Sequence, residues 1–211
     1  MAVLDKKSVD KAVEQALANK TQRKFTQSVD LAINFRDLDF KKPENRVNLD
    51  VVLPHPPRQV KVAVFAEGQL ALDAKKVADA VFNSSDITVF ASDKKRQAEL
   101  LDYSLLAAPQ LMALIGKQLG QLLGTKGKLP KPILPGTNLG DLVAKTRATI
   151  TLKVKGKMLP CLHCIVGKEN MAREQVVENV MAVLEALSKK VPESNIASVY
   201  VKTTMGKPVK V

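Results

Sequence analysis

The sequence predicts an α+β fold: a discontinuous, two-layer domain of mainly antiparallel sheet and helices, with an inserted Rossmann-like α/β domain. Three observations predict it. Both ends of the chain carry strands that alternate apolar and polar residues, as half-buried strands do. The middle carries short apolar runs separated by helical patterns, the signature of a parallel sheet covered on both faces. The change of style coincides with Pro54-His55-Pro56-Pro57, whose prolines cannot join a strand ladder and stiffen a linker. The outer domain is therefore 1–57 with 149–211, and the inserted domain is 58–148.

Each element follows from its pattern. Residues 8–19 read as a helix, with Val9, Ala12, Val13, Ala16 and Leu17 as its apolar stripe and Ser8 as N-cap. Residues 27–35 read as a strand, with Val29, Leu31, Ile33 and Phe35 on one face and Ser28, Asp30, Ala32 and Asn34 on the other. Lys41-Lys42-Pro43-Glu44-Asn45 is a turn, and Val47, Leu49, Val51 and Leu53 mark the next strand. In the middle, 60–66, 87–90 and 104–108 read as buried strands. There 70–82 and 93–101 read as helices, and Pro109 opens a third that runs to 122. Pro130, Pro132 and Pro135 make an extended loop before a short helix over 139–145. Ile150, Leu152 and Val154 then alternate with Thr149, Thr151, Lys153 and Lys155. Gly156-Lys157 turns the chain into a strand over 159–166, and 169–190 is a long amphipathic helix. In the final strand Val199 and Val201 point one way, and Ser198, Tyr200, Lys202 and Thr204 the other.

Composition narrows the partner. Lys and Arg outnumber Asp and Glu by 33 to 21, a net charge of +12 that favours a polyanion. The outer domain carries +7 of it and the inserted domain +5, so bulk charge does not choose between them. Aromatic residues are 4% with no Trp, which excludes base stacking as the main mode of binding. No apolar run approaches the roughly 18 residues of a membrane span, and no secretory leader is visible. With two neighbouring cysteines, this predicts a cytoplasmic protein in a reducing compartment, with no membrane partner.

The candidate binding groups cluster at the termini. After the last strand comes Met205-Gly206, where backbone can approach another molecule because glycine has no side chain, and then Lys207 and Lys210. Hydroxyls, bare backbone and lysines suit phosphates and ribose 2′-hydroxyls; the same pattern suits a solvated edge strand with a frayed tail. Phe25, beside Arg23 and Lys24, can stack on an unpaired base or cap the core. Gly167-Lys168 can hold a phosphate, aided by the following helix N-terminus, or make an ordinary turn.

Other motifs carry less. Cys161-Leu162-His163-Cys164 offers one Cys pair where structural zinc wants four ligands, and its cysteines would face opposite sides of a strand; no metal is expected. A P-loop ending at Gly127-Lys128 would need glycine at Leu122 and a hydroxyl at Leu129. Gly124-Thr125-Lys126-Gly127-Lys128 reads instead as a flexible basic loop. Neither histidine sits in a nucleophile–base context, so no catalytic set and no cofactor are expected.

Four ordered segments carry a resemblance. They are Arg23-Lys24-Phe25-Thr26-Gln27-Ser28-Val29-Asp30-Leu31, Val51-Val52-Leu53-Pro54-His55, Leu123-Gly124-Thr125-Lys126-Gly127-Lys128-Leu129-Pro130, and Ser198 through Thr204-Met205-Gly206. Their order and spacing resemble the L-one family of large-subunit ribosomal proteins, archaeal branch. The resemblance implies a non-enzymatic protein of two domains joined by a hinge, monomeric when free. It implies binding to a mobile stalk of large-subunit (23S-type) rRNA near where deacylated tRNA leaves. It also implies translational repression through the protein's own mRNA. Carried over by motif, the main RNA surface is Phe25, Ser28, Asp30, Lys168, Ser198, Thr204, Met205 and Gly206. Lys24, Lys126, Lys128, Lys202 and Lys207 give secondary contacts. The family usually has Glu where Asp30 stands, and Gly-Pro-Arg-Gly where Gly124-Thr125-Lys126-Gly127 stands. Two other classes remain open: a nucleotide- or small-ligand-binding enzyme on the inserted domain, and a protein-interaction module.

Overall fold

The computed structural model describes residues 5–19, 23–40, 45, 47–134, 136–154 and 159–211. Most of the expected turn Lys41-Lys42-Pro43-Glu44-Asn45, together with Pro135 and Gly156-Lys157, lies outside those residues. In chain order the elements are α1 (Lys6–Ala18), β1 (Ser28–Phe35), β2 (Asn48–Val52), β3 (Val62–Phe65), α2 (Gly68–Lys75) and β4 (Ala80–Phe82). There follow α3 (Ser84–Ser92), α4 (Lys94–Leu100), β5 (Ser104–Ala107), α5 (Pro109–Lys126), β6 (Lys131–Pro132) and α6 (Leu139–Ala148). The chain closes with β7 (Thr149–Lys153), β8 (Cys161–Lys168), α7 (Arg173–Ser188), β9 (Ile196–Thr203) and β10 (Val209–Lys210). Two compact units result: Met1–Arg58 with Ala148–Val211, and Gln59–Arg147. Among the described residues no helix is long and apolar enough to cross a membrane.

The first unit is built on a four-stranded antiparallel sheet in the order β10-β9-β1-β8. Alternation in β1 buries Val29, Leu31, Ile33 and Phe35 and leaves Ser28, Asp30, Ala32 and Asn34 half-buried. β9 does the same with Val199 and Val201 against Ser198, Tyr200 and Lys202. The buried face packs on α1 and α7 in one core cluster. Val9, Ala12, Val13 and Ala16 recur at helical spacing and point into it. Arg173 at the start of α7 pairs with Asp10 (3.0 Å) and Glu14 (3.1 Å) of α1. The N-cap of α1 is Asp5, whose side chain accepts from Lys7 N–H, not Ser8 as expected; the helix starts earlier because Lys6 and Lys7 prolong it on the solvent side. The tail is not frayed: Val209 and Lys210 pair with Val201 and Tyr200, so β9 is an interior strand.

Two local features shape β8. Its pairing with β1 slips between Val29 and Asp30, leaving Val166 as the extra residue of a bulge. Gly167 follows because a Cβ there would come within 2.8 Å of Val176 on α7. The helix itself begins at Arg173, four residues later than expected, so its N-terminus does not directly follow Lys168. β2 and β7 form a separate antiparallel pair, Val51 opposite Ile150, whose inner residues join the same core. Pro54 ends that ladder. Asn179 of α7, fully buried, then holds the linker: its Oδ1 accepts from His55 N–H (3.0 Å), and its Nδ2 donates to His55 C=O and to the bulged Val166 C=O (2.7 Å).

The second unit has a parallel sheet in the order β4-β3-β5-β6. β3 is buried at all four positions, as a strand covered on both faces must be. One face packs Phe65, Ile87, Leu105, Ile115, Leu119 and Leu123; the other packs Val62, Val64, Ala71, Leu106 and Val143. Three expectations fail here. The helix expected over 70–82 ends at Lys75, and Ala80–Phe82 is a strand beside β3. The strand expected over 87–90 lies inside α3, where Ile87 and Phe90, one turn apart, meet the core. Asn83 and Asp86 start that helix, with Asn83 N–H donating to the Asp86 carboxylate at 2.9 Å. The flexible loop expected over 124–128 is the last turn of α5, closed by Gly127 in the left-handed region (φ 66°) and by Lys128 N–H donating to Leu123 C=O (2.8 Å).

Candidate nucleic-acid interface

Antiparallel pairing brings three distant segments to one end of the first unit's sheet. Ser28 stands opposite Lys168, and Val29 opposite Thr203, so the start of β1 meets the ends of β8 and β9. Beyond Thr203 the chain makes a tight turn, Gly206 N–H donating to Thr203 C=O at 3.1 Å. Thr204 fastens that turn to β1. Its N–H donates to Ser28 C=O (3.0 Å), and its hydroxyl accepts from Ser28 N–H (3.0 Å) and donates to Ser28 C=O (3.3 Å). Met205 is thrown outward, 54% exposed, and Phe25 stands out at 51% just before β1. Lys24 and Lys207 are exposed and Lys168 is half-buried.

The remaining expected residues lie elsewhere or do other work. Ser198 pairs with Asn34 toward the opposite end of β9, and its hydroxyl accepts from Asn34 Nδ2 at 3.0 Å. Asp30 faces Lys202 across the pair. Burial raises its carboxyl above the usual range, while Lys202 and then His163 pull the other way. Lys126 and Lys128 belong to the second unit, where the Lys128 ammonium donates to Leu101 C=O. The cysteine segment separates as its strand position predicts. Cys161 Sγ lies 3.2 Å from His163 Nε2, whereas Cys164 packs on the core and burial, with Asp30 nearby, pushes its thiol up to about 12. Among the described residues no group of three or more His, Cys, Asp or Glu could hold a metal ion.

Sequence reasoning missed the buried groups beneath the turn. Gln27 is fully buried; its Oε1 accepts from Met205 N–H (3.0 Å), its backbone C=O accepts from Glu169 N–H (3.0 Å), and its Nε2 donates to Glu169 Oε2 (3.5 Å). Thr203 is also fully buried, and its hydroxyl has no hydrogen-bond partner among the described residues. A Cβ on Gly206 would fall 2.2 Å from that hydroxyl oxygen. Glycine is thus demanded at 206 by the protein's own packing, whatever approaches from outside. Gly206→Ala is expected to destabilise the chain by about 1–3 kcal/mol, the usual cost of overpacking. Adding Thr203→Ala removes the obstructing oxygen, and thermal unfolding of the double variant should recover most of the loss.

The second unit also contains a cleft of about 600 Å³ at the carboxyl ends of β3 and β5. Its lining includes Glu67, Asp73, Leu70, Leu111, Ile133 and Leu134 and, among the described residues, no Lys or Arg, so the charged side chains it presents are carboxylates that repel a phosphate.

A family model described as the ribosomal protein L1p/L10e family matches residues 15–207. The chain is similar to large ribosomal subunit protein uL1 of Thermoplasma volcanium, 41% identical over 213 residues that cover 99% of this chain and 97% of that protein. The uL1 protein of Thermofilum pendens is 42% identical, covering 97% of this chain and 92% of the relative. That of Hyperthermus butylicus is 38% identical, covering 100% and 99%. The class defined is structural and ribosomal, not enzymatic. Within that class the chain belongs to the ribosomal protein L1p/L10e family and is of the archaeal type.

Proposed function

We propose that this chain is a constituent of the large ribosomal subunit in the cytoplasm, where its first unit grips a folded stalk of 23S-type rRNA. The observation that carries this reading is the convergence of Ser28, Lys168 and the Thr204-Met205-Gly206 turn at one sheet end, with Phe25 beside them. Neutral polar groups and bare backbone on a rigid edge recognise RNA by shape and by its 2′-hydroxyls. Lysines around them add a salt-dependent attraction without sequence preference. The second unit is a Rossmann-like insertion with weaker RNA contacts through Lys126 and Lys128, and the two units act as separate domains. By the same shape recognition the protein binds its own mRNA as a repressor, and its place on the stalk puts it beside departing deacylated tRNA.

A gel shift of the full chain on a stalk rRNA fragment, against a scrambled competitor, tests the reading; equal binding to both would defeat it. Lysine variants divide the work between the units. Lys168→Gln should reduce the slope of log K against log salt by about 0.7–0.9, one phosphate contact. Lys126→Gln with Lys128→Gln should lower affinity less than about threefold, because those contacts are peripheral to shape recognition. Abolition of binding by the latter pair would move the site to the second unit.

A further inference from the structure

We infer that Gln27 is the positioning residue of the RNA-binding turn, setting Met205 and Gly206 and tying them to the corner that bears Lys168. This rests on the proposed reading of the turn as an RNA contact. The geometry is that of a buried hub. One side-chain amide and its own backbone carbonyl reach both neighbours of β1: Oε1 takes Met205 N–H in the turn after β9, and the carbonyl takes Glu169 N–H just after β8. Nε2 reaches the Glu169 carboxylate at 3.5 Å. No ladder hydrogen bond can do this, because all three groups lie beyond the ends of their strands. Thr204 anchors the turn to Ser28 on one side only. Without the Gln27 acceptor the peptide N–H of Met205 must find water or stay unpaired, and the Met205 peptide loses its tie to the start of β1, while Thr204 and the Gly206–Thr203 hydrogen bond still close the turn. Gln27 is fully buried and so touches no RNA itself. Its action is to present Met205 and the bare backbone of Gly206 in one orientation before the RNA arrives, which removes an ordering cost from binding.

The side chain is specific in both its ends. Oε1 must accept, and Nε2 must donate to a carboxylate, so an amide fits and neither a carboxylate nor an apolar isostere does. This gives a test by exchange, carried out on the full chain with a transcribed stalk rRNA fragment as probe. Gln27→Met should weaken binding by about tenfold while leaving the salt slope unchanged, since no phosphate contact is lost. Gln27→Glu sets two carboxylates face to face and should also weaken binding. Gln27→Glu combined with Glu169→Gln restores one acceptor and one donor and should return affinity to within about twofold of the original. Glu169→Gln should not rescue Gln27→Met. Amide exchange of Met205 N–H, read by NMR without RNA, should speed up in Gln27→Met and Gln27→Glu and slow again in the exchanged pair.

The two readouts separate two failures. If Met205 exchange follows this pattern but no variant, Met205→Asp included, alters RNA affinity, then the RNA reading of the turn is wrong and the positioning role falls with it. If Met205→Asp weakens binding while the exchanged pair stays as weak as Gln27→Glu, the RNA reading survives and Gln27 is not the positioning residue.

Discussion

Replacing Met205 with aspartate is expected to lower affinity for the stalk rRNA fragment by ten- to a hundredfold, about 1.4–2.7 kcal/mol. Three effects act in the same direction. The side chain sits at the tip of a turn whose own N–H is held inward by Gln27, so whatever stands at 205 faces outward. Under the proposed reading a thioether there packs on ribose and keeps water from neighbouring hydrogen bonds, and a carboxylate does neither. In the same reading the new charge lies within the roughly 10 Å Debye length of 0.1 M salt from the RNA phosphates, and repulsion between them is little screened. Stability should move little, because the side chain is about half exposed. Met205→Leu should keep most of the affinity. Filter binding at fixed salt checks this; equal affinity of Met205→Asp and the original chain would remove the turn from the interface.

The largest stability effect is expected at Asn179→Leu. The substitution keeps the branched shape of the side chain but replaces both polar atoms of the amide with bulkier methyls, at a residue with no solvent exposure. It strands His55 N–H, His55 C=O and Val166 C=O. Each stranded group costs about 1–3 kcal/mol when buried, and the linker side can regain some water, so a net loss near 3 kcal/mol follows. For a chain of this size that lowers Tm by about 6–12 °C. Asn179→Asp keeps the acceptor for His55 N–H but aims a carboxylate at two carbonyls, and should be no better. A Tm shift under about 2 °C for Asn179→Leu would mean that the clamp carries little load. Because Val166 is the bulged residue just before Gly167-Lys168, the same variant should disturb the basic corner of the interface.

Legibility in the sequence tracks how local the determining contact is. β1 and β9 are readable because their alternation is set by one buried face, which a single stretch records. α7 is readable for the same reason, although its stripe also holds the polar Asn179. A lone amide among Val176, Val180 and Leu184 is a signal for a buried polar group that captures backbone, though not for which backbone. The stretch over 87–90 reads as a strand because Ile87, Val89 and Phe90 around the β-branched Thr88 fit a strand or a buried helix equally; the Asn83–Asp86 capping pair upstream is the available arbiter. The run from Leu70 to Phe82 keeps apolar residues coming past the helix end, so nothing in the pattern marks Lys75 as its stop. Gly124 to Lys128 looked like a loop because two glycines stand close together. One of them, Gly127, serves as the left-handed residue that closes a helix.

The sequence by itself determined the periodic elements, the change of style at the prolines, the basic charge and the family to which the chain belongs, because each is written in neighbouring residues or in motif order. Only the tertiary structure decided which of the candidate groups meet. Ser28 and Thr204 are 176 positions apart, and Gln27 and Met205 178, and they touch because β1 lies antiparallel between β8 and β9. Strand pairing of that range depends on the shared core beneath the sheet, an energy summed over the whole unit that no short segment contains. The same pairing set Ser198 toward the far end of the strand and gave Thr204 and Gly206 partners inside the protein.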